Sequence, residues 1–65
     1  NEIVTRQGDT GVSFWYYNDD KLLAVDAMND PRGYMIGKRL IEAGKSPDKA
    51  VIADTGSDLK ALLKS

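Results

Sequence analysis

The hydrophobic rhythm of the chain changes once, near its middle. Up to residue 28 apolar and polar positions follow a period of two, and beyond Pro31 they recur every three or four residues. Glu2 to Gln7 carries the β-branched Ile3, Val4 and Thr5 and reads as a strand. Gly8-Asp9-Thr10-Gly11 is turn chemistry. A second strand, Val12 to Tyr17, places Val12, Phe14 and Tyr16 on one face and Ser13, Trp15 and Tyr17 on the other. A tight hairpin at Asn18-Asp19-Asp20-Lys21 leads into Leu22 to Met28, where Leu23, Val25 and Ala27 alternate against Ala24, Asp26 and Met28. Both faces of these two strands carry apolar groups. One face is expected to pack on helices, and the other to meet something outside this sequence.

Asp30-Pro31 pairs an N-cap with Pro at the first helical position, so a helix is predicted from there to about Ala43, ended by Gly44 in a left-handed cap. Its apolar stripe is Ile36, Leu40 and Ala43, with Ile41 beside it. Gly33 and Gly37 weaken that helix and permit close approach to a neighbouring element. Ser46-Pro47 is expected to start a second, shorter helix through Ala50, Val51 and Ile52. Ser57 or Asp58 caps a last one bearing Leu59, Leu62 and Leu63. The fold class is therefore α+β: a three-stranded antiparallel β-meander followed by one long and two short helices.

At 65 residues the chain is a single small domain, and it contains neither Cys nor His. That excludes a disulfide framework and Cys-His or Ser-His-Asp catalysis, and leaves only carboxylates for a zinc site. The absence of cysteine fits a cytoplasmic location. With 9 Lys and Arg against 10 Asp and Glu, no overall field draws nucleic acid, and no apolar run spans a membrane. The chain starts on a strand without an initiating Met, so a fragment of a larger protein is expected.

Three clusters invite chemistry. Ala50-Val51-Ile52-Ala53-Asp54-Thr55-Gly56 looks like an aspartic-protease signature, and Asp9-Thr10-Gly11 repeats its core. Asp54 lies too near the end to be braced, and helix-forming residues flank it on both sides, so turn chemistry explains both matches. Phe14-Trp15-Tyr16-Tyr17 resembles a base-stacking platform, but Asp9, Asp19, Asp20 and Asp26 around it repel phosphates, and a central strand is the better reading. Arg32, Lys38, Arg39 and Lys45 fall on or next to the long helix, with Lys38, Glu42 and Lys45 on one face and Lys49 beyond. Such a run is a solvated face with one weak ion pair, or a docking surface for an acidic partner.

A longer pattern bears on that choice. Phe14-Trp15-Tyr16-Tyr17, a turn, Leu22-Leu23-Ala24-Val25-Asp26-Ala27-Met28-Asn29, then Asp30-Pro31-Arg32 before a helix, closely resembles the C-terminal domain of FAD-dependent NAD(P)H:ferredoxin reductases, the putidaredoxin, rubredoxin and dioxygenase reductase relatives. The resemblance continues from Met35 to Gly44 and through Ala53-Asp54-Thr55-Gly56-Ser57-Asp58-Leu59-Lys60-Ala61-Leu62-Leu63. Asp20 stands where that family commonly has Gly, and Thr55 where it has Pro. The resemblance implies a fragment, residues 1–65, of the third domain of a flavoprotein that passes electrons from NAD(P)H through FAD to a [2Fe–2S] ferredoxin. It implies no catalytic, cofactor-binding or metal residue here: FAD and NAD(P)H belong to the other two domains of the parent chain. It further implies that Lys38 and Lys60 face the bound acidic ferredoxin, with Arg39 and Lys45 as weaker additions. The alternative is a free-standing protein-interaction module with no redox role.

Overall fold

The computed structural model describes residues 2–8 and 10–64; Asp9, and with it the first Asp-Thr-Gly, lies outside the described residues. Three strands, β1 (Glu2–Gln7), β2 (Val12–Asn18) and β3 (Lys21–Met28), form an antiparallel meander in the order β1-β2-β3. Three helices follow: α1 (Pro31–Glu42), α2 (Lys49–Ala53) and α3 (Leu59–Lys64). This is the α+β arrangement expected from the pattern.

The helices cover one face of the sheet. α1 lies across β3, α2 sits against β1, and α3 packs on α1. Ser13, Trp15 and Tyr17 point under them and are essentially shut off from solvent. With Val4, Leu22, Ile36, Leu40 and Ile52 they make the core. Trp15 Nε1–H donates to Ser13 Oγ at 2.9 Å and Tyr17 Oη–H to the Pro47 carbonyl at 2.6 Å, so the polar ends of both buried aromatics are satisfied. Burial pushes the Tyr17 hydroxyl up from 10.0 to about 12, and the negative charge of Asp48 adds to the shift.

The expected alternation in β3 is corrected by a bulge. Tyr16 pairs with Ala24 but Tyr17 with Leu22, which leaves Leu23 out of register. Leu22 therefore turns inward with Val25 and Ala27, and Leu23 is exposed. Ser46 Oγ accepts the Leu22 N–H at 2.9 Å beside this irregularity. The second helix is corrected for the same reason. Ser46 serves the bulge and the Pro47 carbonyl serves Tyr17, so neither starts α2. Asp48 does, accepting the Ala50 N–H.

α1 begins and ends as its sequence predicts. Asp30 accepts the Gly33 N–H, Pro31 follows, and Gly44 closes the helix at φ +72°. Lys45 N–H reaches the Leu40 carbonyl and Gly44 N–H the Ile41 carbonyl, the bond pair of a Schellman motif. Its buried stripe differs in one residue. Ala43 is exposed, and Gly33 and Gly37 complete the face of Ile36 and Leu40. A Cβ on Gly37 would sit 2.7 Å from Val25 Cγ1, so glycine there sets how closely α1 lies on β3.

The other sheet face is open. Ile3, Tyr16 and Ala24 lie side by side on it, then Thr5, Phe14 and Asp26, then Gln7, Val12 and Met28. Ile3 is 58% exposed and Met28 65%.

Candidate functional site: a cation-rimmed groove between α1 and α3

Positions 32, 35, 36 and 39 share one side of α1 at helical spacing. That side faces α3, whose Leu59, Leu62 and Leu63 are partly buried against the core. Asp58 starts α3 by accepting the Lys60 N–H at 3.0 Å. Between the two helices runs a groove of 530 Å³ lined by Pro31, Arg32, Met35, Ile36, Arg39, Lys60 and Leu63. Its floor is apolar, its charged lining residues are all cations, and no carboxylate lines it. Met35 is 56% exposed there.

The loop that sets α3 in place is held from the opposite end of the chain. Arg6, buried on β1, reaches the Ile52 carbonyl at 3.0 Å, the Asp54 carbonyl at 2.6 Å and Ser57 Oγ at 2.9 Å through Nη1, and the Ser57 carbonyl at 2.7 Å through Nη2. Ser57 Oγ also lies 2.7 Å from the Val51 carbonyl. These bonds gather the last carbonyls of α2 and the turn after it around one guanidinium. Asp54 points away from a shared-proton arrangement: its Oδ1 accepts the Gly56 N–H at 3.0 Å in a surface turn. The Asp54-Thr55-Gly56 segment is a connector.

The four expected docking cations separate. Arg39 and Lys60 line the groove together. Lys38 is exposed on an adjacent side of α1, its Nζ 5.6 Å from the centre of the Tyr34 ring rather than paired with Glu42. Lys45 is half-buried, and its Nζ–H donates to the Leu63 carbonyl at 2.9 Å in the last turn of α3. An ion pair joins Lys49 instead to Glu2 across to β1, at 3.1 Å. The groove brings in Arg32, a member of the cation run that the resemblance leaves out, and Met35, which no charge pattern marks. Their spacing with Ile36 and Arg39, at i, i+3, i+4 and i+7, is the signal that finds them.

The N-terminus of α1 does not fit a dinucleotide phosphate. This end of the chain's longest helix is closed by the Asp30 carboxylate, which takes the Gly33 N–H that would otherwise face a phosphate. A Cβ on Gly33 would fall 2.3 Å from Asp30 Oδ2, so this glycine makes room for its own cap. Trp15 is wholly buried and bonded to Ser13, so it is not available to a flavin ring. Among the described residues no cluster of carboxylates is placed to hold a metal ion.

Comparison with known proteins decides the family. The family model described as "Reductase C-terminal" matches residues 1–63. The chain belongs to the reductase C-terminal family. Terpredoxin reductase from a Pseudomonas species is 36% identical over 61 residues, which is 94% of this chain and 15% of that protein. This reductase C-terminal domain therefore spans less than a sixth of the length of the curated relative it matches. No solved structure matches it at comparable significance. Among the described residues no helix is long and apolar enough to cross a membrane.

Proposed function

We propose that this chain is the scaffold and docking domain of a cytoplasmic flavoprotein reductase that passes electrons from NAD(P)H through FAD to an acidic [2Fe–2S] ferredoxin. The observation that carries the reading is the family match over residues 1–63. A relative named for reducing terpredoxin supports a protein carrier as electron acceptor. The cation-rimmed groove supports an acidic one, because opposed charge speeds encounter and fixes register. Arg39 and Lys60 are the principal docking residues, with Lys38 at the edge of the patch. Lys45 contributes by anchoring α3. The FAD- and NAD-binding domains of the same polypeptide pack elsewhere, and the open sheet face with Ile3, Phe14, Tyr16 and Met28 is the apolar surface that suits them.

In this reading the domain performs no bond chemistry. It holds the carrier in one orientation while electrons leave the flavin in the parent. The test is the product of the complete gene, examined by visible absorption and by NAD(P)H-dependent reduction of a [2Fe–2S] ferredoxin. Flavin bands and ferredoxin reduction are the expected result. A colourless protein inactive with NADH and NADPH overturns the reading and leaves a protein-interaction module.

A further inference from the structure

The groove is built for more than charge. Arg32 and Arg39 are seven residues apart on α1, about 10 Å along its axis, and Lys60 stands across from them on α3. Between these cations the surface is Met35 above Ile36 and Leu63. A face that only steered an anionic partner would need no open methionine at its centre. Methionine is unbranched and polarisable, and it moulds itself to an incoming apolar group. We propose that the electron-carrier partner seats one large apolar side chain on Met35, between carboxylates that engage Arg39 on α1 and Lys60 on α3. The occupant is thus a surface segment of the carrier in which an apolar residue is flanked by acidic ones. This rests on the docking reading above and deepens it: the cations set the encounter, and the buried apolar contact sets how long the complex lasts.

The two contributions respond differently to salt. At about 1 M salt the Debye length is about 3 Å, so exposed charges farther apart than that are screened from one another while apolar burial stays in place. The experiment uses the complete reductase and its [2Fe–2S] carrier, with Kd measured at low salt and at high salt. Met35→Ser is expected to weaken binding about tenfold at both salt concentrations, with binding recovered in Met35→Leu. Arg39→Glu is expected to weaken it at low salt and to converge on the parent at high salt. Met35 is open to solvent, so these substitutions leave the core alone, and matching unfolding curves check that they do. If Arg39→Glu weakens binding while Met35→Ser binds as the parent does, the anchor is overturned and the docking reading stands. If neither variant changes Kd, both fall.

Discussion

Arg6 holds the second half of the chain to the first. Its guanidinium collects carbonyls from Ile52, Asp54 and Ser57, some fifty residues away, while its own side chain is buried. Removing it takes the donor from the buried Ile52 carbonyl and from the part-buried acceptors of Asp54 and Ser57 at once. Arg6→Met is expected to cost about 3 kcal/mol, because an acceptor left unsatisfied away from water bears its desolvation penalty without a compensating bond. In thermal unfolding that appears as a fall in Tm of about 15 °C for a domain of this size. An unchanged melting curve would mean the carbonyls find water instead. Nothing in the sequence marks Arg6, since its partners are main-chain oxygens that carry no residue signature. Trp15 and Tyr17 were legible as core candidates, but which face of β2 lies inward depends on where the helices land.

Tyr17 gives a second test at this scale. Its hydroxyl is neutral in both folded and unfolded chains below about pH 10. Between 10 and about 12 the unfolded chain releases that proton while the folded chain keeps it. The unfolded state then binds fewer protons, so stability falls as pH rises through that window, by up to about 1.4 kcal/mol per pH unit. Tyr17→Phe is expected to lose about 1 kcal/mol near neutral pH, with the Pro47 bond gone, and to show a shallower decline above pH 10. Denaturant titrations of both proteins from pH 9 to 12 read the difference; parallel curves would contradict it.

The elements follow from local signals, and their irregularities from distant contacts. The strand-to-helix switch at Asp30-Pro31 and the stop at Gly44 are local signals, and both hold. The bulge at Leu23 is not local. It follows from Ser46 capturing the Leu22 N–H and from Tyr17 being drawn to Pro47, contacts made across 24 and 30 residues of sequence. The hairpin shows the same limit. Asp19, not Asp20, adopts the positive φ of 55°, so the loss of a glycine at 20 costs the turn little. Asp19→Gly is expected to stabilise the chain by about 1 kcal/mol and Asp20→Gly to bring no gain, read as Tm. Gly37 is the tightest seam between elements. Gly37→Ala gains helix propensity but drives a methyl into Val25, and is expected to cost a net of about 1–3 kcal/mol, largely recovered with Val25→Ala. A more stable Gly37→Ala would show that α1 can lift from β3 freely.

For the molecule as a whole, the fold has one covered sheet face, one open sheet face, and a groove on the helix side. Family membership was legible because its pieces are spread in order along the chain, and the match over residues 1–63 bears it out. The site was legible only in part. Helical spacing puts Lys38, Glu42 and Lys45 on one face, and the resemblance adds Lys60 and Arg39; the α1–α3 packing instead leaves Lys38 and Lys45 apart and sets Lys60 with Arg39. The apolar stripe of α1 marks its buried side, but not which flank the next helix will meet. The most direct measurement is the KM for ferredoxin of the complete reductase carrying Arg39→Glu and Lys60→Glu, followed across a salt series. A rise of about tenfold or more is expected at low salt, fading towards the parent value at high salt. The same KM as the parent at every salt concentration would contradict the claim that this domain receives the electron carrier.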